Sequence, residues 1–217
     1  MQFDSGHLYH IYNQGNNRQK IFFNRDNYLF FLRKVNRHVL PFADVLAWCL
    51  MPNHFHLMVH VNQVEVELTP SEPTTPSPTL SRARSVESQS RARSVELMSF
   101  NKSIGIMLAS YTRAINKQQN WSGSLFRSES KARCLTVING ISPGWITNMG
   151  ITEFTINDPE MEYPNVCFNY ILHNPVKDGL VKNPDDWEFS SYLDSAGERK
   201  GKLINRNRIQ EFGLRIL

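Results

Sequence analysis

Polar and apolar residues alternate most regularly in the stretch "MPNHFHLMVH", residues 51–60. Because side chains along a strand point alternately to its two faces, this pattern predicts a strand with one apolar face. The apolar face carries Phe55, Leu57, Val59 and Val61. The opposite face carries His54, His56, Met58 and His60. The run before it, "ADVLAWCLM", predicts a buried strand, and the Pro-Asn pair between the two runs predicts a tight turn that joins them as a hairpin.

Three further segments have apolar residues every three or four positions, which is the spacing of amphipathic helices. The first begins near a capping residue, Asp26, and ends before Pro41. The third, "YPNVCFNYILHNP", has a proline near its start and a second proline, Pro175, that is predicted to end it. The second runs from Leu97 to Asn116, and its apolar stripe consists of Leu97, Phe100, Ile104, Met107, Leu108, Tyr111 and Ile115.

Short strands are predicted at Leu8–Tyr12 and at Lys131–Val137. Together with the hairpin and the first two helices, they give the order β-α-β-β-α-β, with an insert before the second helix. That order predicts an α+β fold in which helices pack on a ferredoxin-like antiparallel sheet.

Composition divides the chain into four segments. Residues 1–62 and 98–195 form the two parts of the main domain, and residues 139–162 within the second part have no clear pattern and predict a loop insertion. Residues 63–97 are rich in Ser, Pro, Thr, Glu and Arg and contain "SRARSVE" twice, which predicts a flexible low-complexity insert. An arginine-bearing arm that touches a nucleic-acid backbone is the alternative, but the neighbouring glutamates weaken it. Residues 196–217 predict a basic tail.

The charge balance is compatible with a nucleic-acid partner but does not establish one. Lys and Arg number 24 against 20 Asp and Glu, and the isoelectric point is near 9.0. The three cysteines have no metal-like spacing, which predicts reduced thiols in a cytoplasmic protein. No signal-peptide pattern and no run of about 18 apolar residues is present, so no membrane partner is predicted.

The histidines of the predicted strand have two possible interpretations, as ligands of a metal ion or as the polar face of an ordinary strand. His54 and His56 are two positions apart on one face, so their imidazoles can converge on one divalent ion. Alternating histidines can equally form the polar face of an ordinary half-buried strand, and strand geometry alone favours that reading. His60 is better explained as a neighbour on the same face than as a third ligand.

The context of the histidines resembles a known family. "CLMPNHFHLMVHV" resembles the HUH motif of single-tyrosine transposases, in particular the REP-associated tyrosine transposases and their insertion-sequence relatives. Four further blocks resemble that family in the same order: "YHIYNQGNNRQKIF", "YTRAINK" followed by "GSLFRSESKA", "YILHNPVKDGLV" and "WEFSSY". The resemblance runs from about residue 7 to about residue 195, without the insert and the 139–162 loop. In the last block Phe189 stands where relatives often carry Trp.

Such enzymes cut single-stranded DNA by transesterification, in which a tyrosine attacks a phosphate and forms a 5′-phosphotyrosine. The resemblance implies that Tyr111, in "YTRAIN", is the nucleophile, although its apolar stripe alone favours a core tyrosine. It implies that His54 and His56 hold a divalent metal, Mg²⁺ or Mn²⁺. Asn116 is the predicted third ligand, with a helix-terminal asparagine as an equal alternative and water as a further ligand.

Basic residues cluster after the tyrosine helix, and the resemblance makes them candidate contacts to DNA phosphates. They are Arg113, Lys117, Arg127, Lys131 and Arg133. Each one alone is better explained as a solvated charge, and only their clustering favours a contact to DNA. Trp48, Trp121 and Phe126 are candidates for stacking on unpaired bases. Trp48 is predicted to be a core residue, so Trp121, in a polar turn, is the better candidate.

The implied partner is single-stranded or hairpin-forming repeat DNA. The resemblance implies a protein that acts as a monomer or homodimer and is located at the nucleoid in a bacterial cytoplasm. A flexible insert would allow the tyrosine to act in its own subunit or in a partner's. One alternative is a domesticated protein that binds hairpin DNA without cutting, consistent with the duplicated segment. A different metal-dependent hydrolase is the other alternative, weakened because no Asp or Glu is close to the histidines in sequence.

Overall fold

An antiparallel sheet forms the centre of the computed structural model, which describes residues 1–67, 96–136 and 163–217 in full. It describes only the backbone of residues 144–147, 150–153 and 159–162. The strands are β1 (Leu8–Gln14), β2 (Ala43–Met51), β3 (His54–Val61), β4 (Glu65–Glu67), β5 (Leu97–Ser99), β6 (Lys131–Cys134), β7 (Gly144–Thr147) and β8 (Gly150–Glu153). The central sheet has the order β2-β3-β1-β6, and β4 pairs with β5 and β7 with β8 in two small sheets.

The register places the histidine face of β3 beside ionisable residues of the neighbouring strands. His56 pairs with Tyr12 of β1 on one side and with Cys49 of β2 on the other. On β1, Tyr12 pairs with Lys131 of β6. Because paired residues point to the same face of a sheet, the histidine face extends across β1 to the edge strand β6.

Different helices cover the two faces of the sheet. Helices α1 (Arg25–His38) and α2 (Phe100–Gln119) pack together on the apolar face, where the rings of Phe31 and Phe55 are 4.9 Å apart. Helix α3 (Pro159–Lys177) packs on the histidine face, where the rings of Tyr170 and His56 are 5.4 Å apart. The long apolar stripe of α2 therefore faces a core that does not contain the histidines.

Local capping explains where the helices begin and end. The Asn24 side chain accepts a hydrogen bond from the Asn27 backbone N–H at the start of α1, so the cap is Asn24 and not the predicted Asp26, which lies in the first turn. Ser99 caps α2 in the same way. Asn120 ends α2 in the left-handed conformation, with φ of 56°, so this helix runs three residues beyond the predicted Asn116.

Two predictions about the second half of the chain differ from the structure. Pro175 lies inside α3, which continues to Lys177, because a proline in the last turn removes only the bond to the carbonyl of residue 171. The predicted 139–162 loop contains the β7–β8 pair and the first turn of α3. Runs of four residues are too short to show a period in the sequence.

The C-terminal region packs against β2. It contains α4 (Tyr192–Ser195) and α5 (Arg206–Glu211), and Ile204 bridges to Val45. The buried Asp194 carboxylate accepts from Arg199 at 2.8 Å, and Asp44 accepts from Arg208 at 3.1 Å. The predicted basic tail is thus an ordered part of the fold, since two of its arginines, Arg199 and Arg208, pair with carboxylates.

Strand β4, near the start of the predicted 63–97 insert, pairs with β5, which begins at the last residue of the insert, Leu97. Leu97 is therefore a strand residue and not the predicted first residue of the second helix, which begins at Phe100. The central part of the insert is predicted to be flexible. It comprises residues 68–95, which lie outside the described residues. Both copies of "SRARSVE" fall in this range, except for the last residue of the second copy. Among the helices that the structure describes, none is long and apolar enough to cross a membrane.

Candidate active site

The histidine face and helix α3 together form the candidate site. Tyr170 and Asn174 are four residues apart on α3 and therefore lie on the same side of that helix. Asn174 Oδ1 is 3.0 Å from His54 Nε2, and the Tyr170 ring meets the His56 ring edge-on at 5.4 Å. The His54 and His56 rings are 5.0 Å apart. Two strand residues and two helix residues thus converge at one point.

A third histidine, His10 of β1, is part of this cluster. Its Nε2 lies 2.9 Å from His56 Nδ1, and its ring stacks on Tyr12 with centroids 4.7 Å apart. Both His10 and His56 are buried. The candidate site therefore continues from the two motif histidines into the neighbouring strand.

Burial keeps these three imidazoles in the neutral form. Desolvation lowers the pKa of His10 to about 3, with a smaller contribution from the nearby Arg133. Desolvation also lowers the pKa of His54, and it lowers that of His56 well below the ordinary value. A neutral imidazole is the state that can bind a metal ion.

The hydrogen-bond pattern around His54 fits a bound cation. Its Nδ1 is 2.6 Å from Asn53 Oδ1, while its Nε2 is 3.0 Å from Asn174 Oδ1. A neutral imidazole has only one N–H, so it can donate to only one of these oxygens. Donation to Asn53 leaves the Nε2 lone pair next to the Asn174 oxygen. A divalent cation could be bound by both lone pairs, that of His54 Nε2 and that of the Asn174 oxygen.

His56 and Asn174 complete a donor set for such a cation. His56 Nε2 is buried and has no hydrogen-bond partner among the described residues. Two imidazole nitrogens and one amide oxygen suit Mn²⁺, and they suit Mg²⁺ when water supplies further oxygens. Within the described part of the chain, no three His, Cys, Asp or Glu side chains form a metal site. The Asn174 amide oxygen, 3.0 Å from His54 Nε2, is a third side-chain group that could bind a cation here.

Tyr170 lies at the edge of this donor set. Burial raises the pKa of its phenol to about 12, and a side-chain hydrogen bond with Asn174 opposes that rise. The Lys177 ammonium lies 5.2 Å from the centre of the Tyr170 ring. The nearby Asp178 carboxylate adds to the rise in the pKa of this phenol.

A cleft of about 1090 Å³ opens from the candidate site. His54, His56, Tyr170 and Asn174 all line it. Its cationic lining residues are Arg18, Arg127, Lys131, Arg133 and Lys177, against the carboxylates of Glu129 and Asp178. The excess of positive charge makes the cleft suitable for a phosphate-rich chain.

Tyr111, the predicted nucleophile, is not brought to the histidines. It is fully buried on the opposite face of the sheet, where its ring packs edge-on against Phe31 at 5.1 Å. Its hydroxyl donates to the carbonyl of Ile21 at 2.8 Å. The structure therefore supports the core reading of Tyr111, and burial raises the pKa of its phenol beyond the ordinary range.

Asn116, the predicted third ligand, is also away from the cluster. It lies near the end of α2, where its amide Nδ2 donates to the carbonyl of Gly123 at 2.9 Å. This matches the helix-terminal alternative. His60 is separate as well, since its Nδ1 lies 3.0 Å from Asn62 Oδ1 and its ring contacts Phe212.

The predicted DNA contacts divide into two groups. Arg127, Lys131 and Arg133 line the cleft, whereas Arg113 and Lys117 are exposed on α2 and are not among its lining residues. Trp121 is 45% exposed and packs edge-on against Phe23 at 5.5 Å. The other aromatic candidates, Trp48 and Phe126, are buried.

The sequence prediction missed Tyr170, Asn174, His10, Arg18 and Lys177 as members of the site. A signal for the first two was present in "YILHNP", where a phenol and an amide are spaced i, i+4 on a predicted helix. Periodicity could not show which helix covers the histidine face. The choice between two tyrosine helices therefore needed the tertiary structure.

The low pKa values of the buried histidines predict that acid destabilises the metal-free protein. In the unfolded chain a histidine has a pKa near 6.5, so the unfolded state takes up protons before the folded state does. The contribution of these histidines to the free energy of unfolding is fully present above about pH 6.5. It is lost as pH falls toward the folded pKa, at up to roughly 1.4 kcal/mol per pH unit for each such histidine.

Urea unfolding in a chelator between about pH 7.5 and pH 5.5, above the carboxylate range, measures this slope. We expect a shallower slope for His10→Gln, which removes one of the buried titrating groups. Equal slopes for the two proteins would contradict the prediction.

Comparison with known proteins gives one structural similarity. No protein-family model matches the chain, and no curated protein sequence matches it. A solved structure of a REP-associated tyrosine transposase, bound to a REP hairpin, is similar with a TM-score of 0.52. The match covers 94% of this chain and 92% of that chain at 13% identity. At this identity the similarity shows a shared fold of helices and antiparallel sheet.

Proposed function

We propose that this chain is a transposase-type enzyme that nicks and rejoins single-stranded DNA, with Tyr170 as its nucleophile. The observation that carries the proposal is the convergence of Tyr170 and Asn174 on the two histidines at the wall of a basic cleft. The β-α-β-β-α-β order predicted from the sequence supports a ferredoxin-like sheet of the HUH type. The shared fold with a hairpin-bound transposase extends the proposal to hairpin-forming DNA as the substrate.

In the proposed reaction, the Tyr170 hydroxyl loses its proton and its oxygen attacks a backbone phosphorus. The new O–P bond forms as the bond to the 3′ oxygen breaks, and that oxygen leaves as a hydroxyl after taking up a proton. One phosphodiester replaces another, so no external energy source is needed. The DNA end stays attached through a 5′-phosphotyrosine and can be rejoined by the reverse reaction.

The chain's own residues have separate tasks in this step. A divalent cation held by His54, His56 and Asn174 would neutralise and polarise the attacked phosphate. A side-chain hydrogen bond with Asn174 opposes the effect of burial on the Tyr170 phenol, which otherwise favours the protonated form. The cations of the cleft bind the DNA backbone and hold the reacting phosphate in line with the phenol.

The proposed site is assembled within one chain. His54 and His56 come from β3, and Tyr170 and Asn174 come from α3 of the same chain. We therefore propose that the tyrosine acts in cis, so that a monomer suffices for nicking. A cytoplasmic location at nucleoid DNA is part of the same proposal.

A protein that binds hairpin DNA without cutting it is the second candidate function. The observation that favours it is the partial burial of Tyr170, which raises the pKa of its phenol to about 12 and makes the phenolate harder to form than in an exposed tyrosine. In this alternative the basic cleft binds DNA and the tyrosine does not react.

One assay separates these functions. The protein is incubated with an end-labelled single-stranded hairpin in Mn²⁺, in Mg²⁺ or in chelator, and covalent adducts are resolved under denaturing conditions. We expect an adduct with either metal and none in chelator. Tight binding without any adduct would support the non-cleaving protein, and free 5′-phosphate ends without an adduct would indicate a different metal-dependent hydrolase.

A further inference from the structure

We propose that His10 is a positioning residue, which holds His56 in the one tautomer that can bind a metal ion. The inference rests on the proposed function, because it concerns the cation assigned there to His54, His56 and Asn174. It goes beyond that proposal by giving a role to a histidine on a different strand.

The position of His10 is set by the sheet itself. Strands β1 and β3 are neighbours, and His10 lies diagonally across from His56, two positions from the residue that pairs with it. The two rings are stacked with centroids 5.0 Å apart and an interplanar angle of 29°. Their nitrogens, His10 Nε2 and His56 Nδ1, are 2.9 Å apart, which is hydrogen-bond distance.

Only one proton can lie between these two nitrogens, so the pair has two arrangements. In the first, His10 Nε2–H donates to His56 Nδ1, and the His56 proton must then sit on Nε2. That N–H would be buried with no acceptor among the described residues. This arrangement would leave no lone pair on His56 Nε2, so a metal ion held by that nitrogen excludes it.

In the second arrangement, His56 Nδ1–H donates to His10 Nε2. His56 Nε2 then carries a lone pair, on the nitrogen proposed to face the cation. Metal-binding histidines usually donate their other ring nitrogen to an acceptor, which fixes both the tautomer and the ring orientation. Here that acceptor is an imidazole, where a carboxylate or a backbone carbonyl is the more frequent partner.

The same logic holds for His54, whose Nδ1 faces the Asn53 oxygen at 2.6 Å. Each proposed metal-binding histidine therefore has its own partner at Nδ1. Asn53 belongs to the turn between β2 and β3, whereas His10 belongs to β1. The orientation of the pair thus depends on two separate parts of the fold.

The test compares two substitutions of His10. In His10→Gln the side-chain oxygen can accept from His56 Nδ1, whereas His10→Leu fills similar space without an acceptor. Binding of Mn²⁺ alone, without DNA, is measured by the electron paramagnetic resonance of the free ion. We expect the dissociation constant to rise about 10–100-fold in His10→Leu and to change only a few-fold in His10→Gln.

His60→Leu is the matched control, because His60 is buried on the same face of β3 but bonds to Asn62 outside the cluster. It should leave Mn²⁺ binding unchanged. Wild-type affinity in a folded His10→Leu protein would overturn the inference.

The imidazole ¹⁵N resonances of His56 in metal-free wild-type protein give a second readout that needs no variant and no metal. We expect the proton on Nδ1 of His56, and a proton on Nε2 would overturn the inference. If wild-type protein has the Nδ1–H tautomer but binds no Mn²⁺, the tautomer inference stands and the proposed metal site fails.

Discussion

Replacing Tyr170 by Phe is expected to abolish the covalent protein–DNA adduct, while replacing Tyr111 by Phe is expected to preserve it. Tyr170 lines the basic cleft, and its ring lies 5.4 Å from that of His56. Phenylalanine keeps the ring but has no oxygen to attack phosphorus. Adduct yield with a labelled hairpin and Mn²⁺ should therefore fall by on the order of 1,000-fold or more.

Tyr111→Phe is the matched comparison, since it makes the same chemical change on the other face of the sheet. The Tyr111 hydroxyl donates a hydrogen bond to the Ile21 carbonyl, and the side chain is buried on the face of the sheet opposite the histidines. Both variants should bind the hairpin with wild-type affinity, which shows that the change in adduct is chemical. Full adduct yield in Tyr170→Phe, or its loss in folded Tyr111→Phe, would contradict the assignment.

Replacing Tyr111 by Ala is expected to lower the free energy of unfolding by about 3–5 kcal/mol. The Tyr111 ring is fully buried among aromatic residues of the core: Phe22, Phe30, Phe31 and Phe126. Removing it leaves a cavity between α1 and α2 that the neighbouring rings cannot fill, and it leaves the Ile21 carbonyl without this donor.

Tyr111→Phe provides the scale for this measurement. It should cost only about 0.5–1.5 kcal/mol, because it removes the hydrogen bond and keeps the ring. Urea unfolding followed by far-ultraviolet circular dichroism gives both values. A loss below about 1 kcal/mol in Tyr111→Ala would mean that the ring is not part of the core.

The two helices that carry the candidate tyrosines lie on opposite faces of the sheet, and the sequence pattern does not show which of them faces the histidines. Helix α2 has the stronger apolar stripe, and Tyr111 lies within it. A stripe of that kind identifies the side of a helix that faces a core, so it favours a structural tyrosine. Tyr170 instead shares its helix side with Asn174, and that polar pair faces the histidines of β3.

Local patterns in the sequence predicted the four strands of the central sheet and the three long helices. Alternation predicted β3 and the split between its apolar and histidine faces, and the apolar run with its turn predicted the hairpin with β2. Both features depend on residues a few positions apart, so local spacing is enough to show them. The same spacing identified His54 and His56 as the pair from which the site is built.

The tertiary structure alone decided which elements meet that pair. His10 is 46 residues from His56 and Asn174 is 120 residues from His54, and contacts at such distances leave no period in a sequence. Which helix covers the histidine face follows from sheet order and helix packing. The sequence by itself therefore determined that a histidine pair exists, and packing decided that Tyr170 lies beside it while Tyr111 lies in the core.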